Sequence, residues 1–145
     1  MTKPIPRMIT VTKETLQVKT EQDAVFMRNR VTEHARKIKM GLVNQTKLLT
    51  AASELVRNML RYAGGGQVIC EVITTTTHLQ TGIRLSFIDK GPGIKSLEDA
   101  MKDGFSTGKS LGIGLPGAKR LVSEFAIKSN VGKGTEVTIL KWRNG

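Results

Sequence analysis

The stretch DKGPGIKSLEDAMKDGFSTGKSLGIGLPG, from Asp89 to Gly117, is set apart from the rest of the chain by its glycines. They form one cluster on each side of the segment 96–103, which is compatible with one or two turns of helix: Gly91 and Gly93 before it, and Gly108, Gly112, Gly114 and Gly117 after it. Glycine costs backbone entropy, so this density is tolerated where the chain needs positive φ or where a ligand approaches the main-chain amides. A nucleotide is the ligand that the pattern favours.

Two short phosphate-binding motifs match this stretch only in part. The run from Gly104 to Ser110 resembles a P-loop, but three residues separate its glycines where that loop needs four, and no strand precedes it. The run from Gly112 to Gly117 has the letters of the dinucleotide-binding motif, but that motif must follow a strand. We reject both. A glycine loop that enters a helix over about 115–124 remains, and the free amides of that helix can hold phosphate. The alternative is an ordinary turn-rich surface loop.

Length and cysteine content place limits on the class of protein. A chain of 145 residues fits one domain, which we expect to span residues 1–145. Cys70 is the only cysteine, lies in an apolar run typical of a strand, and suits a reducing compartment. No apolar run approaches the ~20 residues of a membrane span, and no signal peptide is evident. We expect a cytoplasmic protein that does not associate with a membrane.

The net charge of +11 indicates an anionic partner. Nucleic acid is disfavoured because the basic residues are scattered, and because one Tyr, one Trp and four Phe leave few rings for base stacking. Nucleotide phosphates or an acidic protein surface explain the charge equally well. Most of these lysines and arginines are expected simply to face solvent.

The pattern of the whole chain predicts a two-layer α/β (α+β) sandwich, with a mixed β-sheet and helices on one face. A helix capped by Thr20 runs to a break near Gly41, and a second runs from about Asn44 to Ala63 with Tyr62 in its buried stripe. Strands are predicted over about 8–19, 68–75, 83–88, 126–130 and 135–142. The Gly64-Gly65-Gly66 run ends the second helix and has no further role that chemistry alone assigns.

Glu54 and Asn58 on the second helix are the candidate chemical groups outside the glycine stretch. They are four residues apart, so they leave the same face of the helix one turn apart. An amide oxygen can hold Mg²⁺, which completes its coordination with water and phosphate, and a carboxylate can take a proton from a hydroxyl. The alternative is a solvated helix face on which Arg57 and Arg61 pair with Glu54.

The order of these pieces resembles the GHKL ATPase superfamily, which includes gyrase, Hsp90, histidine kinases and MutL. The chain has Glu54-x3-Asn58 on a helix, Asp89-x-Gly91-x-Gly93 after a strand, Gly108…Gly112-x-Gly114 before a helix, and Gly134-Thr135 at the start of a strand. The small size and the run DGFSTGKSLGIGLPGAKRLVSEF are similar to the anti-sigma-factor type of serine/threonine protein kinases, and most of all to the switch kinases of the bacterial stressosome. The resemblance implies the GHKL (Bergerat) ATP-binding fold and the cofactors ATP and Mg²⁺.

The same resemblance implies roles for individual residues. Asp89 would accept a hydrogen bond from the adenine amino group, Gly91 and Gly93 would let the backbone wrap the base, and Thr135 would support that contact. Asn58 would ligate Mg²⁺, and Glu54 would orient or deprotonate the substrate hydroxyl. The segment 105–111 would form the ATP lid, with the phosphates next to these residues: Lys109, Gly108, Gly112 and Gly114.

The resemblance also implies partners. The substrate would be a Ser or Thr of a small STAS-domain antagonist, which would dock beside the γ-phosphate on surfaces that include Arg57, Arg61 and Lys109. A downstream phosphatase that the kinase activates is a further partner. The alternative is an anti-sigma factor that acts mainly by sequestering a sigma subunit, and a DNA-binding module is a third class.

Overall fold

A computed structural model describes residues 7–76, 80–94, 100–101 and 114–145 of the chain. Within these ranges it has five strands and three helices of eight or more residues, in this order along the chain: β1 (Met8–Val18), α1 (Glu21–Lys37), α2 (Leu42–Ala63), β2 (Gly66–Thr75), β3 (Thr81–Asp89), α3 (Gly114–Leu121), β4 (Glu124–Asn130) and β5 (Gly134–Trp142). The elements expected from the sequence are confirmed, with ends that shift by a few residues. The helix expected within 96–103 falls mostly outside the described residues.

The strands form one sheet in the order β1-β2-β3-β5-β4, and every neighbouring pair is antiparallel. The two-layer α/β class is confirmed, but the expectation of a mixed sheet is wrong. Two helices, α1 and α2, connect β1 to β2, so the chain returns along the sheet in the opposite direction. The connection through α3 leaves β3 and β4 pointing the same way, but β5 lies between them, so they do not pair.

The core lies between the helices and one face of the sheet. Alternate residues of three central strands point into it, because side chains alternate across a strand: Val68 and Cys70 of β2, Ile83, Leu85 and Phe87 of β3, and Val137 and Ile139 of β5. From the helices they meet apolar side chains that recur at helical spacing, among them Met27 and Val31 of α1 and Leu48 and Leu55 of α2. This packing fixes the long helix α2 across the middle of the sheet.

The start of α1 has the capping box that the sequence predicts. The Thr20 hydroxyl accepts a hydrogen bond from the Asp23 amide at 3.1 Å, and the Asp23 carboxylate accepts one from the Thr20 amide at 3.1 Å. Two of the amides that a helix start leaves unpaired are thereby satisfied. The buried stripe then follows, so sequence pattern and packing agree along this helix.

The three consecutive glycines after α2 have a packing role that the sequence alone did not reveal. Gly64 caps the helix in the left-handed conformation, with φ of 72°. A Cβ on Gly65 would lie 2.5 Å from the Val18 carbonyl oxygen, and one on Gly66 would clash with the Ile88 carbonyl oxygen. The chain can therefore turn from α2 directly into β2 while it touches the ends of β1 and β3.

Tyr62 departs from the sequence prediction. It was assigned to the buried stripe of α2, but 56% of its surface is exposed. It lies in the last turn before the Gly64 cap, and the Arg61 guanidinium lies 5.4 Å from the centre of its ring. None of the helices in the described ranges is both long and apolar enough to cross a membrane.

Candidate active site

Asp89, the last residue of β3, is the best-defined polar group of the site. Its Oδ1 accepts hydrogen bonds from the Gly91 amide at 2.9 Å and from the Thr135 amide at 3.2 Å. Thr135 is its cross-strand partner on β5, so sheet register and loop geometry both orient the carboxylate. No hydrogen bond from a described residue reaches Oδ2. Two backbone amides thus fix one oxygen of the carboxylate.

Ser129 extends this arrangement and was missed in the sequence. Its Oγ lies 2.9 Å from Oγ1 of Thr135 and accepts a hydrogen bond from the Ile94 amide at 2.7 Å. Ser129 therefore ties the loop after β3 to the β4–β5 hairpin, and it orients the Thr135 hydroxyl. The available signal was its position opposite Thr135 across the turn at Gly132, which a hairpin alignment would have paired.

The glycines at this end of the sheet are required by close packing. A Cβ on Gly91 would lie 2.6 Å from Cβ of Ala63, and one on Gly93, whose φ is +77°, would clash with the Asn130 carbonyl. A Cβ on Gly134, whose φ is +123°, would clash in the same way with the Asp89 carbonyl. The loop after β3 is thereby held against both α2 and the β4–β5 turn. The role of Gly91 and Gly93 beside an adenine stays a prediction.

Glu54 is a buried carboxylate, with 3% of the residue exposed. Its Oε1 lies 3.4 Å from Nη1 of Arg57, whose side chain is about half exposed, so this part of the solvated-face alternative is present in the structure. Arg61 instead stacks on Tyr62. Asn58, one turn further along α2, is partly exposed. A carboxylate this deeply buried is unusual on a helix that only faces solvent.

The contact between Gly91 and Ala63 places the Asp89 loop at the C-terminal end of α2. Going back along the helix from Ala63, Asn58 is about 7.5 Å away and Glu54 about 14 Å away, at 1.5 Å per residue. The three polar groups therefore follow one another in the order carboxylate, amide, carboxylate away from the loop. That order suits a nucleotide whose nucleobase lies near Asp89 and whose phosphate end reaches towards Glu54.

The phosphate end of the site is described only where it enters α3. Gly114 is the first residue of that helix, with φ of +69°, and Pro116 is buried in its first turn, where a missing amide hydrogen costs nothing. The expected lid, residues 105–111, lies outside the described residues, and so does Gly112. The lid includes Gly108 and Lys109. Their roles next to the phosphates stay predictions.

Comparisons with known proteins bear on the family of this chain. A family profile described as "Histidine kinase-, DNA gyrase B-, and HSP90-like ATPase" matches residues 43–144. The chain is 41% identical over 127 residues to "Serine/threonine-protein kinase RsbT" of Bacillus subtilis (strain 168), covering 88% of this chain and 94% of that protein. It is 29% identical over 125 residues to "Anti-sigma F factor" of Caldanaerobacter subterraneus subsp. tengcongensis, covering 83% of this chain and 86% of that protein.

The fold is also shared with a solved structure, that of the RsbU and RsbW domains of Rv1364c from Mycobacterium tuberculosis. The TM-score is 0.59 at 22% identity, over 95% of this chain and 32% of that one, so this chain spans about a third of its length. At this identity the likeness concerns the fold alone. The family profile and the RsbT similarity carry the assignment: this chain belongs to the histidine kinase-, DNA gyrase B- and HSP90-like ATPase family, also called GHKL, within its anti-sigma-factor-type serine/threonine protein kinases.

Proposed function

We propose that residues 1–145 act as one ATP-dependent serine/threonine protein kinase domain, which transfers the γ-phosphate of ATP to a Ser or Thr of a STAS-domain antagonist. The observation that carries this proposal is that the Asp89 loop lies at the C-terminal end of α2, with Asn58 and then Glu54 following back along that helix. Taken in this order, the three residues correspond to the adenine base, the metal-bound phosphates and the attacking hydroxyl of the proposed complex. Phosphoryl transfer needs positioning and charge neutralisation more than covalent chemistry from the protein, and these groups suit that need.

Asp89 is the adenine-selecting group in this proposal. Two backbone amides fix Oδ1, so Oδ2 is held in a defined position to accept a hydrogen bond from an exocyclic amine. Guanine presents a carbonyl oxygen at the corresponding place, and two acceptors facing each other would repel. Thr135 and Ser129 support this group through the hydrogen bonds that join β3, β5 and β4.

Asn58 is the proposed metal ligand. Among the described residues no three His, Cys, Asp or Glu side chains come close enough to hold a metal ion by themselves. Mg²⁺ suits such a site, because it is often bound by one or two protein oxygens and otherwise by water and phosphate oxygens. When bound, the ion would neutralise charge on the phosphates, and Asn58 would fix its position relative to Glu54.

Glu54 is the proposed general base. Its carboxylate accepts the proton of the Ser or Thr hydroxyl as that oxygen bonds to the γ-phosphorus and the bond to the β-phosphate oxygen breaks, which leaves ADP. Arg57, 3.4 Å from Oε1, helps to orient the carboxylate. Burial of Glu54 restricts its rotamers, and a positioned base contributes typically 10²–10⁴-fold to such a step.

Charge supports the choice of a protein substrate. The net charge of +11 speeds association with an acidic partner, Arg57 and Arg61 are both exposed on α2, and Arg57 lies 3.4 Å from Glu54. In a partner-switching cycle the phosphorylated antagonist is released and the kinase turns to a second partner, which we propose is a phosphatase that it activates. We place this cycle in the cytoplasm, where ATP is available and Cys70 stays a free thiol.

The second candidate is an anti-sigma factor that acts mainly by sequestering a sigma subunit. The similarity to the anti-sigma F factor favours it as the alternative, at lower identity than the similarity to the kinase RsbT. Such a protein would bind a sigma subunit tightly whether or not a STAS-domain protein is phosphorylated.

Incubation with Mg·ATP and STAS-domain proteins, followed by mass spectrometry, tests the proposal. We expect one phosphate on a Ser or Thr of one STAS protein, added at least ~10²-fold more slowly when Glu54→Gln replaces the parent. Glu124→Gln, at an exposed glutamate on β4, is the matched control and should phosphorylate normally. ATP hydrolysis without phosphate on any STAS protein, together with capture of a sigma subunit, would favour the sequestering function.

A further inference from the structure

The connection between α1 and α2 exposes two large aliphatic side chains at the surface. Leu42 and Val43, in the first turn of α2, are 77% and 68% exposed, more than any other large hydrophobic residue in the described part of the chain. Isolated apolar residues at a surface need no explanation, but here two are adjacent on a fixed turn. We call Leu42, Val43 and the cations around them the turn patch.

The cations of the turn patch come from two parts of the chain. Four are close in sequence: Arg36, Lys37, Lys39 and Lys47, all exposed. A fifth, Arg143, follows β5 and is joined to the turn, because its Nη1 donates to the Ile38 carbonyl at 3.3 Å and its own carbonyl accepts from Nδ2 of Asn44 at 3.1 Å. No Asp or Glu occurs between Glu33 and Glu54, or after Glu136. Neither segment therefore supplies a side-chain carboxylate to neutralise the patch.

Lys141, which is buried close to Lys47, adds to the positive charge of the turn patch. Only 5% of this residue is exposed, and burial, together with repulsion from Lys47, lowers the pKa of its ammonium group. Its Nζ lies 3.5 Å from the main-chain oxygen of Gly145, at the limit of a hydrogen bond. An anionic group placed over Lys47 would relieve this crowding of like charges.

The turn patch is preformed. The Met40 amide donates to the Ala35 carbonyl at 2.9 Å, and Nε2 of Gln45 donates to the Met40 carbonyl at 2.8 Å. Lys39 holds a left-handed conformation with φ of 61°, which is costly for a residue with a Cβ. A partner that binds here would not have to order the turn first, so less of its binding energy would be lost.

We propose that the turn patch is a docking surface for an acidic protein segment, one that places aliphatic side chains on Leu42 and Val43 and carboxylates beside the surrounding lysines and arginines. Charge complementarity selects this occupant. A second copy of the chain would bring a like-charged patch against this one. Duplex nucleic acid binds basic surfaces through its phosphates and would gain nothing from the two aliphatic groups at the centre. An anionic membrane would find apolar side chains only in the first turn of α2, because those of the next turns, Leu48, Ala51 and Ala52, are buried.

The turn patch is separate from the active site. Leu42 and Asn58 lie at opposite ends of α2, about 24 Å apart along its axis. A segment bound at the turn patch therefore leaves the route to Glu54 open, and the chain can hold one partner while it acts on another. This proposal does not depend on kinase activity, since it concerns a surface that contains no group assigned to catalysis.

The probe for the test is a short fluorescein-labelled peptide with leucine at helical spacing and glutamate at the remaining positions. Binding is followed by fluorescence anisotropy, and the contacted residues are mapped by amide chemical shifts in NMR. We expect the shifts to concentrate at residues 36–47 and 141–143 and to leave Asp89 and Gly91 unchanged. Leu42→Ser combined with Val43→Ser should weaken binding by roughly tenfold or more, because the aliphatic contact area is lost.

Matched variants separate a specific patch from general attraction to a basic protein. Lys39→Gln with Lys47→Gln and, elsewhere, Gln22→Glu with Asn29→Glu on the exposed face of α1 each lower the net charge by two units. We expect only the first pair to weaken binding strongly. Val25→Ser with Phe26→Ser, at exposed apolar residues of α1, controls for the aliphatic change.

Three results would overturn the proposal. The first is equal weakening by both charge pairs, the second is peptide binding that survives the double serine change, and the third is a preference for anionic vesicles or duplex DNA over the peptide at the same salt concentration. A peptide in which serine replaces every leucine should bind at least roughly tenfold more weakly than the probe. Equal binding of the two peptides would also contradict the aliphatic part of the surface.

Discussion

The two carboxylate oxygens of Asp89 have different roles in the proposed site: Oδ1 accepts backbone hydrogen bonds, and Oδ2 is proposed to bind adenine. A single substitution can test this difference. Oδ1 accepts from Gly91 and Thr135, and an asparagine can keep both bonds with its own carbonyl oxygen. Its amide nitrogen would then replace Oδ2. Asp89→Asn should therefore keep the stability of the parent but lose most of its affinity for ATP, measured by calorimetry.

Asp89→Ala is the partner variant in this experiment. It removes the acceptor as well, so the Gly91 and Thr135 amides lose their bonds and the free energy of unfolding should fall by about 1–3 kcal/mol. If Asp89→Asn binds ATP as tightly as the parent, Asp89 does not select the adenine. If it unfolds as easily as Asp89→Ala, the two backbone bonds have been misassigned.

At the scale of elements, the loop after β3 is held by its contact with the β4–β5 turn. Gly93→Ala adds a Cβ that clashes with the Asn130 carbonyl at a φ of +77°, and should lower the free energy of unfolding by about 2 kcal/mol or more. Gly132→Ala is the matched control, because its φ is +81° but no atom lies within 4 Å. It should cost only about 1 kcal/mol, the strain of the left-handed conformation. Equal losses in chemical denaturation would show that the clash is relieved by a small shift of the loop.

The elements themselves were predictable where local pattern decides them. The capping box at Thr20 and the apolar stripes of α1 and α2 follow from helical spacing, and all were found. Tyr62 was not predictable from spacing, because a stripe does not show where the helix runs past its packing partner. The direction of strand pairing also depends on contacts distant in sequence, so the expected mixed sheet was wrong.

The site was predictable to a similar extent. Glu54, Asn58, Asp89 and Thr135 were proposed from the order of their motifs, and the structure brings Asp89 and Thr135 into direct contact. Their roles stay predictions. Ser129 was missed, because its place opposite Thr135 becomes visible only when the β4–β5 hairpin is aligned. The packing roles of Gly65, Gly66 and Gly93 were also missed. The atoms that a Cβ at these positions would meet are distant in sequence and are known only from the three-dimensional structure.

At the scale of the whole molecule, Cys70 reports on the integrity of the core. Burial raises the pKa of its thiol to about 12, compared with about 8.5 for a free cysteine. Near pH ~8 the folded protein should react with a thiol reagent only as fast as it opens, whereas unfolded protein should react at once. The pKa of the Cys70 thiol is higher in the folded protein than in the unfolded protein. The stabilising effect of the neutral thiol is therefore fully present at pH values below the unfolded pKa.

The same effect should be lost as pH rises from about 8.5 towards 12. The free energy of unfolding should therefore fall over this range, and Cys70→Ala should fall less steeply across it, whatever its starting stability. Urea titrations at several pH values measure both slopes. Equal slopes would mean that the thiolate is accommodated in the folded protein.

The central claim is that Glu54 is the base in phosphoryl transfer from ATP to a STAS-domain protein. The most direct measurement is the single-turnover rate of that transfer for the parent, Glu54→Gln and Arg57→Ala, with Mg·ATP affinity measured in parallel. We predict that Glu54→Gln binds Mg·ATP like the parent but transfers phosphate at least ~10²-fold more slowly, whereas Arg57→Ala, which keeps the carboxylate, loses much less. Transfer by Glu54→Gln at the rate of the parent would contradict the account.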